Sequence, residues 1–189
     1  MDWRGACIVL LHKGKGDKSE CSKSRGISLL SVVGKLFGRV LIKRVRAGTE
    51  SAIGEEHCGL RQCRGCMDQV FAVRQMCEKY LANRIDVFWA CMDLEKAYDT
   101  INQHDMWQML RVYGVGGNLL KAVKSFYVDS RARVWVGNDL SEWFPVNVGL
   151  SQGCVMSPWF LNVYTDGVVQ EVNVRVLGLE LLTANVICR

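Results

Sequence analysis

The chain has no apolar run approaching the roughly 20 residues a bilayer span requires, and its N-terminus lacks the charged-then-apolar layout of a secretory signal. That places it inside the cell, in the nucleus or the cytoplasm. No GKS or GKT stands at the right distance after a glycine, which sets aside a P-loop. There is no internal repeat and no low-complexity linker. Histidine is scarce, at three, and that scarcity decides one motif. Residues 149–153, GLSQG, match the GxSxG nucleophile elbow, whose chemistry needs an acid and a histidine after the serine in chain order. His12, His57 and His104 all precede Ser151, so a hydrolase of that fold is set aside. Metal-binding cysteines also fall short. Cys63 and Cys66 form a CxxC near Cys58 and His57, but no second ligand pair follows at the spacing of a structural zinc site.

What is present bounds the rest. With 189 residues, 49% hydrophobic and 23% charged, the chain can form one domain with a real core or a two-lobed piece of a larger one. The 9 cysteines are odd in number and sit mostly in apolar periodic segments, where a reduced thiol behaves as a small hydrophobe. Lysine and arginine exceed the acids by 5, a mild excess compatible with a polyanionic partner and found in many proteins that touch none. Much of it lies in residues 1–46, including Lys13, Lys15, Lys18, Lys23 and Arg25.

Periodicity supplies the elements. Residues 5–11 read as a strand, 12–25 as a polar basic loop, and 25–29 as the return of a hairpin. Such a hairpin could hold a triphosphate or be an ordinary solvated loop. Val33, Leu36, Phe37, Val40, Leu41 and Val45 recur at helical spacing, as do Met67, Val70, Phe71, Cys77, Tyr80 and Leu81 after a loop-like 47–64. Further helices are marked by Met106, Leu110 and Tyr113, and by Leu119, Leu120, Val123, Phe126 and Tyr127. Residues 131–149 change to the alternation of a β-hairpin about Gly137, Asn138 and Asp139. A helix starting near Pro158 follows, since a missing N–H is harmless in a first turn, and 174–189 read as an extended strand.

The stretch IDVFWACMDLEKAYDTI, residues 85–101, is the one around which the chain is organised. It opens as a strand buried between layers and ends on Asp93, after which Ala97, Tyr98 and Asp99 turn into a helix. A carboxylate there is expensive to desolvate unless a cation meets it. A divalent metal would do so; a helix cap is the more frequent reason for an aspartate at such a junction.

In order along the chain stand RGISLL, GLRQCRGCMDQV, CMDLEKAYD and GLSQGCVMSPWFLNVY. This succession resembles the reverse transcriptase domain of non-LTR (LINE-type) retrotransposons. The resemblance implies an α+β right-hand polymerase fold, with fingers over 1–85 and an incomplete palm over 86–189, its antiparallel sheet packed on helices. It implies that Asp93 is the first catalytic aspartate and, with the Leu94 carbonyl, holds Mg²⁺. Tyr98 matches the position that blocks a ribose 2′-OH, Lys13 and Arg25 match the triphosphate contacts of the fingers, and Gln152 and Gly153 match contacts to nucleotide and template. The implied partners are an RNA template, a DNA primer and a deoxynucleoside triphosphate, held through hybrid shape and backbone. The implied reaction is in-line attack of a primer 3′-OH on an α-phosphate, stabilised by two Mg²⁺ ions about 3.5–4 Å apart.

The sequence departs from that family in one decisive place. No FADD or YADD follows, and Asp166 falls inside the helix before its expected position, so the chain is expected to be truncated ahead of the second carboxylate pair. Gly26, Cys63 and Ser151 stand where the family has proline, glycine and arginine. Glycine at 26 should loosen the hairpin that presents Arg25. Two functions are therefore expected: an RNA-directed DNA polymerase domain, or alternatively a catalytically inactive retrotransposon remnant with at most weak nucleic-acid binding.

Overall fold

The computed structural model describes residues 3–17, 20–55, 57–88 and 93–175. The chain divides into two compact units, Met1–Glu50 with Lys96–Leu161, and Ser51–Glu95 with Asn162–Arg189. Helix and sheet are mixed, as the α+β expectation requires.

The first unit is built on a sheet. Strands β1 (Gly5–His12) and β2 (Ser24–Leu29) form the expected hairpin, antiparallel from Cys7 opposite Leu29 to His12 opposite Ser24. Strand β3 (Arg131–Val136) turns at Gly137 and Asn138 into β4 (Asp139–Leu140), and β5 (Phe144–Pro145) returns along β3. The order is β2-β1-β3-β4, with β5 also on β3. The sheet among the described residues is mixed, not antiparallel throughout, because β1 runs parallel to β3 from Gly5 opposite Arg131. Parallel pairing needs a crossover, and the helices between the two strands supply it.

Helix α1 (Val32–Thr49) starts where the Ser31 hydroxyl accepts the Gly34 N–H at 3.1 Å. Its buried face is Gly34, Gly38, Leu41, Ile42, Val45 and Thr49, whereas Val33, Leu36 and Val40 of the expected stripe are exposed. Two glycines explain the rotation, since a Cβ on Gly38 would come within 3.0 Å of Val155 Cγ2. The helix packs there through its backbone. A four-residue turn α3 (Ala97–Thr100) leads into α4 (Gln103–Val112) and α5 (Gly117–Ser125). Met106, Leu110, Val123, Met156, Trp159 and Phe160 are fully buried. The Trp159 indole N–H is satisfied by Thr49 Oγ1 at 2.9 Å.

The second unit is held differently. Helix α2 (Cys66–Ala82) begins where the Asp68 carboxylate accepts the Gly65 N–H at 3.0 Å, but none of its residues is buried. Met67, Val70, Phe71 and Leu81 of the expected stripe are exposed. Polar contacts to α6 (Ser157–Arg175) do the holding. Asp166, fully buried, accepts from the Gly54 N–H at 3.0 Å and Gln170 Nε2 at 2.7 Å, and lies 3.2 Å from His57 Nε2. Asn162 Nδ2 donates to the Gly59 carbonyl at 2.6 Å, and Arg61 to the carbonyls of Gly54 and His57.

The expected central strand fares worse. Residues 85–88 form no strand and Phe88 is 94% exposed, while 89–92 lie outside the described residues. Val174 and Arg175 are helical, and the rest of the expected terminal strand, 176–189, also lies outside them. No described helix is long and apolar enough to cross a membrane.

Candidate functional site

Three segments of the first unit lock together through their backbones. The turn after β5 carries Gly149–Gln152, and its Leu150 N–H donates to the Tyr98 carbonyl at 2.6 Å and its Gly149 N–H to the Ile101 carbonyl at 2.8 Å. Two residues after Leu150, the Gln152 carbonyl accepts the Ser28 N–H of β2 at 2.6 Å. The turn thus joins the helix entry at 97–101 to the hairpin.

Close approach of this kind selects glycine. At Gly149, with φ +85°, a Cβ would stand 2.9 Å from the carbonyl oxygens of Tyr98 and Asp99. At Gly153, with φ +109°, it would stand 2.6 Å from the Ser28 carbonyl oxygen. Both positions combine the conformation that side chains avoid with a backbone neighbour that cannot move aside. The glycines of GLSQG are therefore packing requirements.

Above this junction lies a cleft of about 190 Å³, lined among others by Ile8, Gly26, Ser28, Asp99, Ser151, Gln152 and Cys154. Pockets that enclose a whole small ligand run to about 300–1,000 Å³, so this one is too small to do so. No histidine lines it. Gln152 Nε2 reaches Asp99 Oδ1 at 3.5 Å, and Gln103 Nε2 donates to the Gly149 carbonyl at 3.2 Å. Beneath it Tyr127, Cys154 and Ser157 gather in the core. Burial pushes the Tyr127 phenol well above its ordinary value and the Cys154 thiol upward as well.

The sequence-derived candidates fall into three groups. Tyr98, Gln152 and Gly153 belong to the interlocked cluster, Tyr98 and Gln152 half-buried. Lys13 and Arg25 are exposed on the hairpin. The Lys13 ammonium donates to the Ser22 carbonyl at 3.1 Å and its N–H to the Lys23 carbonyl at 2.8 Å, while Arg25 stands opposite Leu11. Asp93 and Leu94 belong to the second unit, and both are exposed. The cysteine pair does not gather ligands either: Cys63 and Cys66 are exposed, whereas Cys58 is buried and receives Gln69 Nε2 at 2.9 Å.

A family profile for reverse transcriptase (RNA-dependent DNA polymerase) matches residues 12–188. The chain belongs to the reverse transcriptase family. It is similar to the RNA-directed DNA polymerase from mobile element jockey of Drosophila melanogaster, 25% identical over 167 residues, covering 87% of this chain and 18% of that protein. It is also similar to the probable RNA-directed DNA polymerase from transposon BS of the same organism, at 30% over 176 residues, 86% of this chain and 18% of that one. The transposon TX1 uncharacterized 149 kDa protein of Xenopus laevis matches at 24% over 178 residues, 94% and 14%. This reverse transcriptase chain thus spans less than a fifth of the length of these relatives, and the non-LTR retrotransposon type read from its motifs holds.

Reverse transcriptases use divalent metal ions, which the donor set here can be asked to fit. A hard divalent cation takes about six oxygen ligands. The Asp93 carboxylate and Leu94 carbonyl offer too few, and among the described residues no three His, Cys, Asp or Glu side chains converge to hold an ion. The residues described do not by themselves fit Mg²⁺. Sequence reasoning also passed over Ser28, Leu150 and Gln103. Their contributions are backbone groups and one amide, and the signal available was the pair of glycines four residues apart.

Proposed function

We propose that this chain is the nucleotide- and template-positioning part of an RNA-directed DNA polymerase of a non-LTR retrotransposon, with fingers over 1–85 and the beginning of a palm over 86–189. The observation that supports this best is the backbone junction of Ser28, Tyr98 and Gln152, which unites three motif segments far apart in the chain. In this reading Lys13 and Arg25 neutralise the triphosphate of the incoming deoxynucleotide. Tyr98 fills the space a 2′-OH would need, and Gln152 and Gly153 flank the nascent base pair. RNA template and DNA primer are the macromolecular partners.

Asp93 is the proposed catalytic carboxylate and, with the Leu94 carbonyl, a contributor to the Mg²⁺ site of the family. One carboxylate and one carbonyl do not complete such a site, so the 189 residues alone bind and position without extending. A catalytically inactive remnant that binds nucleic acid weakly is the second reading, favoured by the exposure of Asp93 and by the lack of any converging set of three ligand side chains among the described residues.

The test is competition between deoxynucleoside and ribonucleoside triphosphates for the chain on a primed RNA template, followed by fluorescence anisotropy. The polymerase reading expects preference for the deoxynucleotide, reduced on the order of tenfold by Tyr98→Ala. Equal binding of both sugars by the parent chain would sink it. Robust Mg²⁺-dependent primer extension abolished by Asp93→Asn would overturn the claim that these residues alone are inactive.

A further inference from the structure

Alternation along the strands sorts the sheet of the first unit into two faces. One carries Ala6, Ile8, Ser28 and Ala132 and lines the cleft already described. The register places Cys7, Val9, Leu11, Arg25, Ile27, Leu29, Arg131, Arg133 and Trp135 on the other, although Arg131, at the start of β3, also borders the cleft. None of those strand residues is acidic.

Trp143 is laid onto this second face. Its ring passes so close to Gly5 that a Cβ there would meet Trp143 Cη2 at 3.1 Å. The guanidinium carbons of Arg133 and Arg131 stand 4.8 and 5.8 Å from the ring centroid. The indole thus meets Gly5 at the Cη2–Cζ3 edge and the two guanidinium groups over its ring, and remains 45% exposed, while Trp135 is 48% exposed. Arg133 Nε, moreover, is buried with no hydrogen-bond partner among the described residues.

An exposed, immobilised indole flanked by arginines on an acid-free sheet face is suited to a polyanion that carries flat rings. We propose that Trp143, Arg131 and Arg133 form a stacking site for single-stranded nucleic acid on the face of the sheet opposite the cleft. A base stacks on the exposed part of the Trp143 ring, the two guanidinium groups meet the flanking phosphates, and Arg25 continues the positive track across β1. A duplex hides its base faces and would gain only the charge. Unpaired strand is therefore the preferred ligand. The proposal rests on the polymerase reading for the nature of the polymer, although its site shares no residue with the Ser28, Tyr98 and Gln152 junction.

The experiment is anisotropy of a labelled 12-nucleotide oligouridylate and of a matched RNA duplex, titrated with the 189-residue chain at two salt concentrations. Stacking on one aromatic side chain predicts about a tenfold loss of single-strand affinity for Trp143→Ala. Trp143→Phe should retain most of it, and Arg133→Gln should weaken binding and flatten its salt dependence. Duplex affinity should move far less with Trp143→Ala. Should Trp143→Ala lose the fold by circular dichroism, Trp143→Phe and Arg133→Gln carry the test. The proposal is overturned if the parent does not bind oligouridylate, if Arg133→Gln binds like the parent, if duplex and single strand lose equally, or if anionic vesicles or an acidic peptide bind at this site and the oligonucleotide does not. Loss of single-strand binding in Trp143→Ala without deoxynucleotide preference in the parent would refute the polymerase reading and leave this site standing; the converse would do the reverse.

Discussion

Replacing Gly153 by alanine should unfasten the GLSQG turn from the hairpin. The new Cβ would stand 2.6 Å from the Ser28 carbonyl oxygen, at φ +109°. Because the obstructing atom is backbone, no rotamer change relieves the clash. Either β2 or the turn must move, and the 2.6 Å hydrogen bond from the Ser28 N–H to the Gln152 carbonyl goes with it. Loss of that bond costs about 0.5–1.5 kcal/mol, and a side chain at such a φ about 1–3 kcal/mol. Reduced freedom of the unfolded alanine chain returns about 0.4–1 kcal/mol. The net loss is roughly 0.5–4 kcal/mol, against the 5–15 kcal/mol that holds an ordinary domain together. Urea unfolding followed by tryptophan fluorescence should show a lower midpoint with an unchanged slope. Gly48→Ala is the control: it lies in α1 with nothing within 4 Å of its Cβ and should stabilise by about 0.5–1 kcal/mol. A Gly153→Ala midpoint equal to that of the parent would refute the packing argument.

Two further outcomes follow from burial. Cys21, Cys63 and Cys66 are exposed while Cys58 and Cys154 are buried, the latter with its thiol pushed upward by burial, so brief alkylation at neutral pH should mark the first three and spare the last two; rapid modification of Cys154 in folded protein would contradict this. The Tyr127 phenol is held well above its ordinary value, so the folded chain keeps a proton that the unfolded chain releases above about pH 10. That contribution is complete below the unfolded value and is lost as pH rises toward the folded one. The urea midpoint of the parent should therefore fall more steeply than that of Tyr127→Phe above about pH 10, and parallel profiles would count against it.

Most elements were legible because their apolar residues repeat at 2 or 3.6, and hydropathy carries that signal directly. It failed where packing is not done by large side chains. In α1 the buried face joins Gly34 and Gly38 to the expected Leu41 and Val45, so a count of valines and leucines captured only part of it and added the exposed Val33, Leu36 and Val40. In the second unit the anchors are Asp166, Asn162 and Arg61, polar residues that periodicity assigns to the surface. The parallel pairing of β1 with β3 joins residues more than a hundred positions apart and leaves no local trace. Motif order led to Tyr98, Gln152 and Gly153, but not to Ser28 or Leu150. What those two contribute is an N–H that every non-proline residue carries.

The departures from the family pattern read differently once placed. Gly26 was expected to loosen the hairpin, yet it stands opposite Leu10 within six registered pairs, and its missing Cβ leaves room that Ile8 Cγ2 would otherwise contest at 3.0 Å. The ladder restrains the backbone that a proline ring would have restrained. Cys63 is the opposite case. Its φ of 59° lies in the left-handed region, where a side chain costs about 1–2 kcal/mol, and Leu60 at 58° shares the strain within the same loop. That loop is also where hydrogen bonds to backbone are densest in the second unit: Arg61 to Gly54 and His57, Arg64 to Glu55, and Asn162 to Gly59. The bonds of buried Arg61 and Asn162 each contribute about 0.5–3 kcal/mol, together comparable with the cost of two strained residues. A cysteine is thus accommodated at 63 in a loop whose backbone arginine and asparagine side chains fasten, beside the buried Ile53 and Cys58.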